Sequence, residues 1–109
     1  MGIIEVIEKR KSKEHKKLVS DALEEANIIA KILVNKFGAK EVLLYGSLLN
    51  SDHFSNESDI DISVKGLENN YFKAYGYCLR KSKFNIDIKA YEDMPENFRK
   101  NVSKFGKIL

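Results

Sequence analysis

Apolar residues recur at every third or fourth position through the first third of the chain. The repeat runs from about residues 12–14 to residue 37 and comprises Leu18, Ala22, Ala26, Ile29, Leu33 and Phe37. This spacing puts the apolar side chains on one face, which predicts a long amphipathic helix, and Gly38 is a suitable residue to end it. Residues 1–11 begin apolar and then turn basic. They fit a short helix, a strand or a loosely held terminus, and their apolar side chains would suit a protein interface.

Three later stretches have the patterns of β-strands. Residues 41–45 form a short apolar run, whereas residues 58–64 and 84–91 alternate between polar and apolar side chains. Alternation with a period of two sends successive side chains to opposite faces of a strand. The sequence therefore predicts one buried strand and two strands with a core face and a polar face.

Two further helices complete the predicted fold. Residues 71–80 follow the polar loop 65–70, with Tyr71, Phe72, Tyr75 and Leu79 as the expected buried stripe. Pro95 suits the first turn of a last helix that reaches about residue 104. The order helix, strand, strand, helix, strand, helix predicts an α/β (α+β) fold, with a small mixed sheet of about three strands flanked by helices. A single domain over residues 1–109 is expected.

Charge and composition narrow the function classes only slightly. The formal charge of +3 is the balance of 19 basic and 16 acidic residues, so it does not indicate nucleic-acid binding. The basic residues near the N-terminus fit a solvated helix start better than an RNA contact. The lone cysteine, Cys78, lies in an apolar helix pattern and is expected to be a buried thiol. Without an apolar run of membrane-spanning length, a cytoplasmic location is expected.

Three aspartates are the candidate chemical groups. Asp59 and Asp61 share the polar face of one predicted strand, and Asp87 lies on the polar face of another. If the strands bury the same side, the three carboxylates converge on the opposite side. Neighbouring carboxylates resist ionisation unless a cation lies between them. Three of them can hold two divalent ions about 4 Å apart, the arrangement that clamps a phosphoryl group during in-line displacement.

A Gly-Ser turn directly follows the first predicted strand. Gly46 permits a sharp turn or a close approach of the backbone to a ligand. The Ser47 hydroxyl and nearby backbone amides can hold phosphate oxygens. Ser58, at the start of the second strand, is a further candidate nucleotide-binding residue, with an ordinary turn residue as the alternative.

The combination of these residues resembles a known family. Gly46-Ser47, then eleven residues, then Asp59-Ile60-Asp61-Ile62, with Asp87 on a later strand, resembles the nucleotidyltransferase superfamily that shares its fold with DNA polymerase beta. The small size is similar to that of its minimal nucleotidyltransferase branch, the MntA-like antitoxins that pair with HEPN-domain proteins. The resemblance covers about residues 14–106.

The resemblance implies a role for each motif residue. Gly46 and Ser47 would contact the nucleotide phosphates, and Asp59 and Asp61 would ligate magnesium. Asp87 would share the catalytic metal and help to deprotonate the acceptor hydroxyl. Two Mg²⁺ ions are implied as cofactors and ATP as the donor. Many relatives carry basic and small residues after the Gly-Ser, as in GSRARG, whereas this chain has Leu-Leu-Asn-Ser at residues 48–51.

Three functions are compatible with this resemblance. The first is transfer of AMP to a tyrosine of a HEPN toxin, which would make the chain an antitoxin acting within a homo- or hetero-oligomer. The second is a catalytically weak module that neutralises a partner by contact alone. The third is a small-molecule transferase of the aminoglycoside-modifying kind, with a partner chain supplying the substrate pocket.

Overall fold

A computed structural model describes the backbone of residues 2–109 and the side chains of residues 2–5 and 11–109. The helices are α1 (Ile3–Asn35), α2 (Tyr71–Lys81) and α3 (Glu96–Phe105), and the strands are β1 (Glu41–Tyr45), β2 (Ile60–Lys65), β3 (Ile86–Ala90) and β4 (Lys107–Ile108). The α+β class is confirmed, with four strands where about three were expected. No helix within residues 2–109 has the length and apolar character needed to cross a membrane.

The four strands form one mixed sheet in the order β3-β2-β1-β4. β1 pairs antiparallel with β2, and β2 pairs parallel with β3. The sequence had left the pairing of the first two strands open. The parallel pair requires a crossover, and α2 supplies it, because parallel neighbours cannot be joined by a tight turn.

The strand that sequence reasoning missed is β4, which follows Gly106. It pairs antiparallel with β1, with Leu43 opposite Ile108. Its two residues are too few to show alternation between polar and apolar side chains, so this pattern cannot reveal the strand. β4 covers the edge of β1 and leaves β3 as the other edge strand.

Helices α1 and α2 pack on one face of the sheet and form the main core there. The core residues on α1 recur with the predicted helical spacing and include Ala22, Ala26, Ile29 and Leu33. They pack in one core with the apolar side chains of the three long strands: Val42 and Leu44 of β1, Ile60, Ile62 and Val64 of β2, and Ile86 and Ile88 of β3. The small side chains of α1 let the helix approach the sheet closely. The core faces of β2 and β3 are therefore the ones that the alternation predicts.

Helix α2 has a different buried stripe from the one predicted. Ala74 and Cys78 are fully buried, whereas Phe72 and Leu79 are 84% and 52% exposed. Tyr71 and Tyr75 are half-buried, and their hydroxyls donate hydrogen bonds to backbone carbonyls of β3, at Ile88 and Ile86. Anchoring by two tyrosines rotates the helix so that its small residues, not its largest ones, face the sheet.

Helix α3 packs on the opposite face of the sheet. Val102 is buried there with Leu43 of β1 and Met94, which precedes the helix. Buried Ser63 of β2 has its Oγ 3.7 Å from Met94 Sδ. This second, smaller core covers the middle of the face and leaves the end of the sheet beside the Gly-Ser turn uncovered.

Helix α1 begins at Ile3, so most of residues 1–11 extend the long helix toward the N-terminus. Ile3 and Ile4 are exposed; the predicted apolar interface also involves the side chains of Val6 and Ile7, which lie outside the described residues. Gly38 has a φ of +77° and follows the last helical turn, in agreement with its predicted role.

Candidate active site

A row of three side chains crosses the uncovered end of the sheet. Tyr45 of β1 is the Cα partner of Asp61 on β2, which in turn is the partner of Asp87 on β3. Their sequence neighbours Leu44, Ile62 and Ile88 face the core, so the three side chains project from the opposite face. Asp61 and Asp87 are thus brought together as the alternation predicts.

Asp59 lies just outside this row. The predicted strand 58–64 begins at Ile60 in the structure, where the Ile60 amide donates a hydrogen bond to Asn85 O at 2.8 Å. Asp59 is therefore the exposed residue at the entrance to β2. Its charge still contributes to the electrostatics of Asp61.

The acid cluster is formed by Asp59, Asp61 and Asp87, of which Asp61 and Asp87 are half-buried and Asp59 is exposed. Burial is the largest cause that raises the pKa of Asp61 above the ordinary value of 3.8, and the negative charge of Asp87 is the next. Lys89 acts in the opposite direction, and Asp59 adds a further increase. The cluster therefore carries more negative charge than its surroundings neutralise, which favours binding of a cation.

Gly46 lies directly against Asp61. A Cβ added at Gly46 would be 2.1 Å from Asp61 Oδ2, and the residue has a φ of +82°. A single 3-10 turn, Gly46–Leu48, follows β1 and is anchored by buried Leu48. The turn therefore brings the main chain at Gly46 and the half-buried Ser47 to the edge of the acid cluster, where only glycine fits the first position.

Ser58 forms hydrogen bonds within its own loop. Its Oγ accepts a hydrogen bond from the Ser55 amide at 3.0 Å and is 3.3 Å from Ser55 Oγ. These contacts are those of a turn residue that leads into β2. Its nucleotide-binding role stays a prediction.

Lys89 is a member of the site that sequence reasoning missed. Its Nζ is 2.6 Å from Asp87 Oδ2, and this hydrogen bond is the largest cause that raises the pKa of the Lys89 ammonium. The sequence did contain a signal for this residue. Lys89 lies two residues after Asp87 in an alternating strand, so the two side chains share one face of the sheet. One carboxylate of the acid cluster is consequently neutralised from within the chain.

Tyr45 closes the row on the side of β1. Burial is the largest cause that raises the pKa of its hydroxyl, and the nearby Lys89 ammonium opposes it. The hydroxyl is buried and has no hydrogen-bond partner of good geometry within the described part of the chain. The Tyr45 ring packs edge-to-face on Phe98 of α3, with ring centroids 5.5 Å apart.

The arrangement fits the predicted metal site only in part. Among the residues whose side chains are described, no three His, Cys, Asp or Glu groups are placed to hold one metal ion together. Asp87 has its Oδ2 on the Lys89 ammonium, while Asp59 and Asp61 have no such partner within the described contacts. Asp59 and Asp61 are thus the two carboxylates left available for a divalent cation, and the binding of two ions by all three aspartates stays a prediction.

Two hollows adjoin the row and are separated by Phe98. One, of about 310 Å³, lies beside Asp87 and is lined by Tyr71, Lys89, Ala90, Asp93, Met94, Pro95 and Phe98. The other, of about 250 Å³, lies beside the Gly-Ser turn and includes Tyr45, Gly46, Leu49 and Phe105 in its lining. Both linings are mainly apolar, so each is suited to the ring or the aliphatic part of a substrate.

The histidines lie outside the row. His53 is exposed in the loop between β1 and β2. His15 is half-buried, and its Nε2 is 2.7 Å from Ser51 O. His15 therefore ties α1 to the loop that follows the Gly-Ser turn.

Comparison with known proteins gives one family. The family described as Polymerase beta, Nucleotidyltransferase matches residues 27–109. This range includes the Gly-Ser turn and all three aspartates. None of the curated proteins compared with the chain matches it.

Proposed function

Because this chain belongs to the polymerase beta nucleotidyltransferase family, we propose that it transfers AMP from ATP to a hydroxyl group, and that the acceptor is a tyrosine of a HEPN-type toxin. The supporting observation is the cross-strand row in which Asp61 and Asp87 face each other beside Gly46. This row places two acids beside a turn whose first residue, Gly46, has no side chain. The chain would then be an antitoxin of the MntA-like branch.

Each residue of the row has a distinct role in this proposal. The main chain at Gly46 and the Ser47 hydroxyl hold the β- and γ-phosphates. Asp59 and Asp61 hold a magnesium ion, which when bound supplies charge neutralisation at the phosphate oxygens. Lys89 engages Asp87 Oδ2, so Oδ1 of Asp87 accepts the proton of the attacking hydroxyl.

The reaction is an in-line displacement at the α-phosphorus. The acceptor oxygen forms the new P–O bond while the bond between the α-phosphorus and the bridging oxygen of pyrophosphate breaks. The electron pair leaves with pyrophosphate, and the acceptor proton passes to Asp87. Entering and leaving oxygens lie on opposite sides of the phosphorus. With pyrophosphate at the Gly-Ser turn beside β1, the acceptor approaches from the side of β3.

The hollow beside Asp87 supports an aromatic acceptor. Its lining is contributed mainly by Ala90, Met94, Pro95 and Phe98. A tyrosine ring would bury apolar surface there, and its hydroxyl would lie near the charged groups of Lys89 and Asp93 in the same lining. The apolar part of the lining therefore supports an aromatic acceptor.

The contact-only module is the second candidate function. The ion pair between Lys89 and Asp87 and the apolar Leu48 and Leu49 after the Gly-Ser turn favour it. Both features reduce the capacity of the site for metal and triphosphate relative to GSRARG-containing relatives. In this case the chain would neutralise its partner through binding alone.

The decisive experiment measures the intact mass of the protein that co-purifies with the tagged chain from its host, before and after ATP and magnesium are added. We expect a gain of one AMP on a partner tyrosine, which the Asp61→Asn variant does not produce. The Asp52→Asn variant changes an exposed loop carboxylate and serves as the matched control. A partner that binds stably, never gains mass and is still neutralised by Asp61→Asn would instead establish the contact-only function.

A further inference from the structure

The acid cluster contains a cation supplied by the chain itself. Lys89 Nζ lies 2.6 Å from Asp87 Oδ2, and the two side chains are 47% and 34% exposed. Both residues belong to β3, and Asp87 is the cross-strand partner of Asp61. The ammonium is therefore built into the row of site residues by the strand period and the sheet register together.

This position matters because the charge of the cluster sets how many cations it attracts. The charged form of neighbouring carboxylates is stabilised by any positive charge placed among them. An ammonium in direct contact with one carboxylate removes part of that attraction, and it repels a second positive ion at the same oxygens. Two divalent ions and Lys89 would thus compete for one set of carboxylates.

The backbone leaves Lys89 close to the cluster. Its sequence neighbours Ile88 and Ala90 pair with Ile62 and Val64 of β2, which holds the strand in register. The side chain also lines the hollow beside Asp87, so the ammonium lies between the acids and that hollow. No rearrangement of the sheet is needed to keep it there.

We propose that Lys89 takes the place of the second divalent cation, so that the acid cluster binds one divalent ion, held by Asp59 and Asp61. This inference deepens the proposed function and rests on it for the reaction that the site serves. The cation count itself is measured without nucleotide or partner. Asp87 then has a permanent neutralising partner instead of a metal ion.

A second ion pair on the same face of the sheet provides a matched control. Lys65 Nζ is 2.9 Å from Glu41 Oε1, and these side chains are 32% and 34% exposed. Glu41 and Lys65 are cross-strand partners at the far end of β1 and β2 from Tyr45 and Asp61. Removing the Lys65 ammonium therefore frees a carboxylate of similar exposure that is remote from the acid cluster.

The test counts Mn²⁺ ions bound to the purified full chain by electron paramagnetic resonance of the free ion. The Asp59→Asn, Asp61→Asn double variant supplies the background from other acidic residues. Above that background, we expect about one ion for the wild type and about two for Lys89→Met, which keeps the length of the side chain without its charge. Lys89→Arg and Lys65→Met are expected to remain at about one ion.

Three results would overturn the proposal. The first is two bound ions on the wild type, and the second is no ion above background on the wild type or on Lys89→Met. The third is an unchanged count for Lys89→Met when this variant keeps the wild-type circular dichroism spectrum. If Lys89→Met does not fold, the wild-type and Lys89→Arg counts still decide, because two ions on either contradict the inference. Failure of AMP transfer with a count of one would refute the proposed function and leave the cation count standing.

Discussion

Gly46 and Asp61 depend on each other at the level of single atoms. The space where a Gly46 side chain would lie is filled by Asp61 Oδ2, and the backbone there has a positive φ. Asp61 in turn is held in a half-buried position where its charge is poorly compensated. Ionisation of Asp61 therefore opposes folding, and carboxylates with shifted pKa values of this kind are common at functional sites.

Replacing Gly46 by alanine should damage both the fold and the site. The left-handed backbone alone costs a residue with a Cβ about 1–2 kcal/mol, and the new methyl group would displace the Asp61 carboxylate. Urea unfolding measures the stability loss, and intact mass measures the loss of AMP transfer. Gly76→Ala in α2 is the control, since its Cβ would meet only the end of Arg80, at 3.4 Å. Equal effects of the two substitutions would contradict this account.

Asp61→Asn should make the protein more stable at neutral pH. The raised pKa of Asp61 means that the unfolded chain loses this proton at lower pH than the folded chain. Ionisation therefore opposes folding as pH rises from about 3.8 upward through the folded-state pKa. Thermal melts should show a Tm increase of about 1–4 °C at pH 7, which shrinks as the pH falls toward 3.8. A lower Tm than the wild type at pH 7 would show that the carboxylate is stabilising.

Cys78 should be unreactive in the folded protein. The side chain is fully buried, and burial raises the pKa of the thiol to about 11. At pH 8 little thiolate is present, and reagents have no access to it. Ellman's reagent should react slowly with the native chain and rapidly after denaturation in guanidinium. Rapid reaction in the native state would mean that α2 opens readily from the sheet.

At the scale of elements, the sheet and α1 depend on each other for burial. α1 presents small residues at its centre and larger ones, Ile29 and Leu33, toward its C-terminal end. β1 and β2 supply the matching apolar face. The functional row lies on the other side of the same strands, so packing of α1 fixes the strands from which Asp61 and Asp87 project.

Leu33→Ala should destabilise the whole domain. Leu33 is completely buried among core residues, and leucine-to-alanine changes at such positions cost about 2–5 kcal/mol through lost burial and the remaining cavity. Val34→Ala is the adjacent control, because Val34 is 43% exposed and should change stability by less than about 1 kcal/mol. Urea midpoints of the two variants measure the difference. Similar midpoints would place Leu33 outside the core.

The whole molecule is longer than its chain length suggests. α1 has 33 residues, so it spans about 50 Å at 1.5 Å per residue, close to the largest dimension of 57 Å. Only its later part packs on the sheet. Its N-terminal turns, where Ile3 and Ile4 are exposed, extend beyond His15, which contacts the loop that follows the Gly-Ser turn.

Small-angle X-ray scattering tests this shape. The radius of gyration of the Cα atoms is 15.8 Å, whereas a compact chain of this length would have about 13 Å. We expect a value near the larger figure for a monomer, with the mass checked by light scattering on the same sample. A monomer near 13 Å would mean that the N-terminal part of α1 folds back on the body.

The sequence by itself determined the class of the fold, the core faces of β2 and β3 and the shared face of Asp61 and Asp87. These features follow from local periods of 2.0 and 3.6 residues, which are properties of the chain alone. Sequence reasoning wrongly buried Phe72 and Leu79, because the hydrogen bonds of two tyrosines orient α2. It also missed β4, because two residues are too few to show a period.

Only the tertiary structure decided how the strands pair, and hence what surrounds each acid. The register sets Asp61 opposite Asp87, the start of β2 excludes Asp59 from the row, and the turn at Gly46 is closed against Asp61. The contact of Lys89 with Asp87 depends on side-chain conformation as well as on a shared face. The register and the contact at Gly46 join segments that are remote in sequence, and a local pattern carries no information about them.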